Sequence, residues 1–123
     1  MKLISKKTVV LGASSKIDRY SNKAVHKLKL NGHEVIPIGF EKSTIDGIPI
    51  QTELLPIENV DTISLYLNPK RQEDYYDYIL SLNPKRIIFN PGTENPILEK
   101  LAEKRKIETI EACTLVMLSV GNF

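Results

Sequence analysis

The sequence predicts an α/β protein: a single Rossmann-like domain over residues 1–123, built on an open, doubly wound parallel sheet of about five strands. Three observations carry this prediction. Short apolar runs recur along the chain and read as strands buried on both faces. Between them lie segments whose apolar residues return every three to four positions, as on one face of a helix. Strands that alternate with helices in this way form a parallel sheet covered on both sides and joined by right-handed crossovers.

The first strand is Thr8-Val9-Val10-Leu11, ending at Gly12. Ser21 offers a helix cap, and Ala24, Val25 and Leu28 share one face up to the stop at Asn31-Gly32. The second strand is Glu34-Val35-Ile36-Pro37-Ile38, with its proline assigned to the strand end because it lacks a ladder donor. Residues 39–58 contain Gly39, Gly47, Pro49 and Pro56 and read as a loop with a short edge strand at Ile48-Pro49-Ile50. Thr62 to Tyr66 is the third main strand. A helix from Gln72 to Leu82 follows, with Tyr75, Ile79 and Leu82 on its inner face. Arg86-Ile87-Ile88-Phe89 is the fourth strand. Ile97, Leu98, Leu101 and Ala102 mark a helix that ends in the cations Lys104, Arg105 and Lys106. Glu108-Thr109-Ile110 is the last strand, and Thr114 to Val120 a final short helix.

The composition narrows the function. With 41% hydrophobic and 26% charged residues the chain is globular in class. A formal charge of +2, with no basic stretch between aromatics, argues against a nucleic-acid partner. One cysteine excludes an intrachain disulfide and fits a reducing compartment. The opening Met1 to Lys7 is too short and charged for a signal peptide, and no apolar run could span a bilayer, so no membrane role and a cytoplasmic location are expected. The apolar Leu115, Val116, Met117, Leu118, Val120 and Phe123 could pack on their own domain or on a second copy in a homodimer. A small domain's need for core favours self-packing.

In an open parallel sheet, ligands bind beyond the carboxyl ends of the strands. The loop after the first strand, Gly12-Ala13-Ser14-Ser15 through Arg19, combines a tight turn, two hydroxyls, free amides near a helix start, and the charges of Lys16 and Arg19. It reads either as a pyrophosphate cradle or as a serine-capped turn, and it lacks the second and third glycines of the dinucleotide fingerprint. An NAD site calls for a carboxylate after the second strand. Pro37-Ile38-Gly39-Phe40 has none, while Lys42 lies close by, so coenzyme A and NADP, which carry a ribose phosphate, both remain candidates.

Four Asn-Pro pairs serve caps and turns. Asn68-Pro69 and Asn95-Pro96 start helices, and Asn83-Pro84 closes one. Asn90-Pro91-Gly92-Thr93 reads as a turn that also faces the ligand crevice. Cys113 is either a buried small apolar residue or a reactive thiol. His26 and His33 read as exposed, and no Cys/His spacing fits a metal site. Glu41, Asp46, Glu94 and Glu111 lie on loops without pairing as acid and base.

Taken together, Val9 to Ser15, Arg19-Tyr20-Ser21-Asn22, Asn31 to Ile38, Ile45-Asp46-Gly47, Val60-Asp61-Thr62, Asn90-Pro91-Gly92 and Glu111-Ala112-Cys113 resemble the CoA-binding domain family. These are small stand-alone Rossmann proteins related to the CoA-binding domain of succinyl-CoA synthetase. The resemblance implies coenzyme A across the strand ends, its pyrophosphate near Gly12, Ser14 and Arg19. It places the adenosine end near Pro37, Ile38, Gly39 and Lys42. The pantetheine arm should pass Leu67, Asn68 and Pro69 towards Asn90, Pro91 and Gly92, and the family often has a cysteine where Cys113 stands. Gly39-Phe40-Glu41 differs from the Asn-Pro common in the family at that point. The expected function is a non-catalytic CoA or acyl-CoA binding protein acting as carrier, sensor or partner subunit. The alternative is an NADP-linked reductase or a Cys113-dependent thiol-exchange enzyme.

Overall fold

Where successive residues of a strand are all apolar, both faces of the pleat must be covered. The chain does this with β1 (Thr8–Ala13), β5 (Thr62–Leu65) and β6 (Arg86–Phe89). Val9 and Leu11 join Ile63, Leu65, Ile87 and Phe89 in one core, while Val10 between them enters a second core on the opposite face. A computed structural model, which describes residues 4–123, completes the sheet with β2 (Val35–Gly39) and β7 (Glu108–Glu111) at its edges. Every pairing in it is parallel, and the strand order is β2-β1-β5-β6-β7. On one face α1 (Tyr20–Leu30) and α5 (Thr114–Val120) bury Val25, Leu28 and Leu118 beside Val10. On the other, α3 (Tyr76–Ser81) and α4 (Pro96–Lys104) bury Ile79, Leu98 and Ala102. This is the doubly wound α/β fold that the sequence predicts.

Several local features differ from the sequence reading or extend it. The cap position of α1 is Arg19, whose side chain caps nothing, and Ser21 is a buried residue of the first turn. Asn22 ties that turn back to the loop by donating to the Ser14 carbonyl at 2.9 Å, which starts the helix earlier. The expected helix over 72–82 is broken. Pro69, capped by Asn68, starts a short α2 (Pro69–Gln72), and a 3₁₀ turn (Glu73–Tyr75) leads into α3. The break falls at Gln72, whose fully buried side chain hydrogen-bonds away from its own helix. Ile79 and Leu82 still face inward.

Within residues 39–58 lies a small antiparallel hairpin, β3 (Thr44–Ile45) and β4 (Ile48–Pro49). Asp46 and Gly47 at its tip both adopt positive φ, the turn an Asp-Gly pair favours. Pro37 sits in the middle of β2, not at its end. The edge strand tolerates it because the Pro37 carbonyl turns outward to accept the Gln51 N–H at 2.9 Å, so the missing donor also faces outward.

The C-terminal helix packs on its own domain through Met117 and Leu118, while Val116 and Val120 stay exposed. Phe123 continues this packing at the end of the sheet where the strands begin. Its ring lies 4.9 Å from that of His33 and 4.4 Å from the Arg86 guanidinium. His33 is therefore half-buried rather than exposed, and its Nδ1 accepts the Lys6 backbone N–H at 3.0 Å. Burial, then the charges of Lys6 and Arg86, hold its pKa below the usual 6.5, with Asp61 opposing them.

The fold thus selects neutral His33, so this contribution to stability is complete above about pH 6.5 and is lost as pH falls through the lowered value. Urea unfolding measured between about pH 7.5 and 5.5 should show a falling midpoint for the wild type. His33→Asn, whose side-chain oxygen can accept the same N–H without titrating, should flatten that slope.

Candidate functional site

The chain leaves β1 towards β2 on one side and returns past β1 to β5 on the other. The connections therefore diverge beyond the carboxyl ends of β1 and β5, where an open sheet forms its crevice. A cavity of about 550 Å³ lies there. Gly12 builds its floor, with φ +97° and so little room that a Cβ would stand 3.0 Å from the Tyr66 carbonyl carbon. Leu11 accepts the Tyr66 N–H at 2.9 Å, closing the two strand ends together.

One wall runs from Gly12, Ala13 and Ser14 through Lys16 and Arg19 into Tyr20 and Ser21 of α1. The Ser14 hydroxyl accepts the Lys16 N–H at 3.2 Å and orders the loop. No side chain caps α1 and its first turn holds no acidic residue, so its positive end, Lys16 and Arg19 make this wall electropositive. The second wall follows β5 through Tyr66, Leu67 and Asn68 to Arg71 of α2. The third is Pro91, Gly92 and Thr93 after β6. Phe40 and Glu41, after β2, stand at the mouth.

Buried polar bonds hold these walls. Asn90 donates to the Ser64 hydroxyl and the Leu65 carbonyl, each at 2.9 Å, and its Oδ1 accepts the Thr114 N–H at 2.8 Å. It joins β5, β6 and α5 beneath the cavity. Gln72 donates to the carbonyls of Leu67 and Thr93, each at 2.8 Å, and so ties the second wall to the third. Its Oε1 accepts from Asn95, which also caps α4 and donates to the Tyr76 hydroxyl. Burial pushes the Tyr66 phenol up to about 12, with partial relief from Ser64 and Thr114, so it stays protonated at physiological pH. Its hydroxyl faces those two side chains without closing a hydrogen bond to either.

Of the residues singled out in the sequence, Gly12, Ala13, Ser14, Arg19, Leu67, Asn68, Pro91 and Gly92 line the cavity together. Ser15, Pro69 and Lys42 stand outside the lining, Lys42 exposed beyond the mouth. Pro37 and Ile38 are buried within β2. Gly39 serves a close approach, since a Cβ there would meet the Ala13 carbonyl oxygen at 2.3 Å. Asn90 lies below the lining, and half-buried Cys113 precedes α5 near Tyr66. The lining also takes in Phe40, from the segment after β2 that the sequence places at the crevice, and Tyr66 and Arg71, for which no sequence signal pointed to this cavity. Among the described residues no cluster of His, Cys, Asp or Glu could hold a metal ion, and no helix is long and apolar enough to cross a membrane.

Fold and cavity together define a Rossmann-like protein with a ligand crevice at the switch point of its sheet. The chain belongs to the CoA binding domain family, which it matches over residues 6–119. It superposes on the crystal structure of an uncharacterized protein with a TM-score of 0.96 and 51% identity, covering 98% of this chain and 99% of that one. A conserved hypothetical protein from Pyrococcus furiosus gives a TM-score of 0.77 at 26% identity, covering 90% of this chain and 97% of that one. A hypothetical protein from Pyrococcus horikoshii OT3 gives 0.84 at 23% identity, covering 94% and 83%. No curated protein matches the sequence.

Replacing Asn90 by alanine removes three buried hydrogen bonds and strands the Thr114 N–H and Leu65 carbonyl. Asn90→Ala should lower unfolding stability by roughly 2 kcal/mol in urea titrations.

Proposed function

We propose that the protein binds coenzyme A or an acyl-CoA in this cavity and, without chemistry of its own, acts as a carrier, a sensor or a partner subunit. The observation that carries this reading is the electropositive wall of Lys16, Arg19 and the uncapped start of α1, set at the switch point of a chain from the CoA binding domain family. The pyrophosphate lies against Gly12, Ser14 and Arg19, where backbone amides and charge converge. The pantetheine arm follows Leu67 and Asn68 towards Pro91 and Gly92. Residues 1–123 act as one domain, and a cytoplasmic location belongs to the same reading. A partner protein, or a second copy of the chain, reads the loaded state. Cys113, which a thiol-exchange reading would need at the ligand, lies outside the cavity lining.

Calorimetric titration with coenzyme A, NADPH and NADH tests the reading. Saturable binding of coenzyme A is expected, weakened roughly tenfold or more in Arg19→Ala through loss of a charge-assisted contact. Saturation by NADPH with none by coenzyme A below millimolar concentration would overturn it.

A further inference from the structure

The cavity carries its positive charge in two separate groups. Lys16 and Arg19 share the β1–α1 wall, and Arg71 is the cation that α2 contributes to the lining, its neighbour Lys70 standing outside it. A pyrophosphate held at the first group leaves the second without a partner. Among the described residues no carboxylate pairs with Arg71, although Glu41 shares the mouth. Instead its guanidinium carbon lies 5.3 Å from the centroid of the Phe40 ring. Its backbone is held independently, because Asn68 Oδ1 accepts the Arg71 N–H at 2.9 Å. The side chain can therefore turn to a ligand without moving the helix.

Phe40 is 59% exposed, high for an aromatic ring at the mouth of a cavity. Tyr75 supports it edge-on from 6.5 Å at 71°. One face of a phenylalanine beside an unpaired guanidinium is suited to a flat base next to an anion. Lys42, the cation that the sequence offered for such an anion, lies outside the cavity lining.

We infer that Arg71, backed by Phe40, reads a monophosphate on the ribose of the bound nucleotide, separate from the pyrophosphate, while Phe40 stacks on its base. This rests on the coenzyme A reading for the identity of the phosphate as the 3′ group, whereas a 2′-phosphate offers the same chemistry. Glu41 repels an anion on its own side of the mouth and confines the phosphate to the side of Arg71.

The test compares coenzyme A with 3′-dephospho-coenzyme A, and NADPH with NADH, against wild type, Arg71→Ala, Arg71→Lys and Phe40→Ala. Wild type should prefer coenzyme A over its dephospho form by roughly tenfold or more, the size of one charge-assisted contact. Arg71→Ala should abolish that preference and leave dephospho-coenzyme A binding unchanged, with Arg71→Lys restoring part of it. Phe40→Ala should weaken both forms by a similar factor. Thermal unfolding should be unchanged in all three variants, because both side chains are exposed. Equal weakening of the two forms by Arg71→Ala, or no preference in a wild type that binds coenzyme A, overturns this inference and leaves the binding reading intact. An Arg71-dependent preference seen only between NADPH and NADH keeps the inference and overturns coenzyme A as the ligand. Binding of none of the four overturns both.

Discussion

The carboxyl ends of β1 and β5 meet through backbone alone, and the cavity depends on that contact. Glycine is required at position 12 on two counts, its positive φ and the nearness of the Tyr66 backbone. A side chain there would force the strand ends apart, and with them the loop that carries Lys16 and Arg19 and the segment that carries Leu67 to Arg71. Gly39 plays the matching part between β2 and the Ala13 carbonyl. Three neighbouring strand ends are thus drawn together at the positions where their loops diverge.

Below and beside that contact, the walls are held by side-chain amides rather than by charges. Asn90, Gln72 and Asn95 use both ends of their amides, and apart from the cap that Asn95 gives its own helix their bonds tie separate segments together. A buried amide network of this kind is worth most when every member is satisfied, and it rigidifies what it joins. The charges of Lys16, Arg19 and Arg71 are left to the surface of the cavity, where they face solvent. The bonds that hold the walls and the charges that line them therefore belong to different residues.

Much of the fold was legible because its signals are local. Val9-Val10-Leu11 and Ile87-Ile88-Phe89 are too uniformly apolar to be anything but buried, and Asn95-Pro96 announces a helix by capping chemistry. The Asp46-Gly47 turn carries a hairpin signal of its own, masked by the glycine- and proline-rich stretch around it. The break at Gln72 was hidden, since a glutamine on a helix reads as solvated until its partners at Leu67 and Thr93 are known. The same limit applies to the site. The loop at Gly12 to Arg19 announces itself in sequence, but Phe40, Tyr66 and Arg71 converge only once β2, β1 and β5 are placed side by side. Strand order is a long-range fact that no local pattern encodes.

The outward-facing Pro37 also bears on how the molecule behaves in a crowded solution. A sheet edge is a row of donors and acceptors on which a foreign strand can assemble, the first step towards aggregation. On the β2 side that row lacks a donor at Pro37, and Gln51 already occupies the neighbouring positions. On the β7 side Glu108 and Glu111 place like charges at both ends of a short exposed strand. An open sheet has two edges to guard, and this one guards the first by removing a donor and the second by charge.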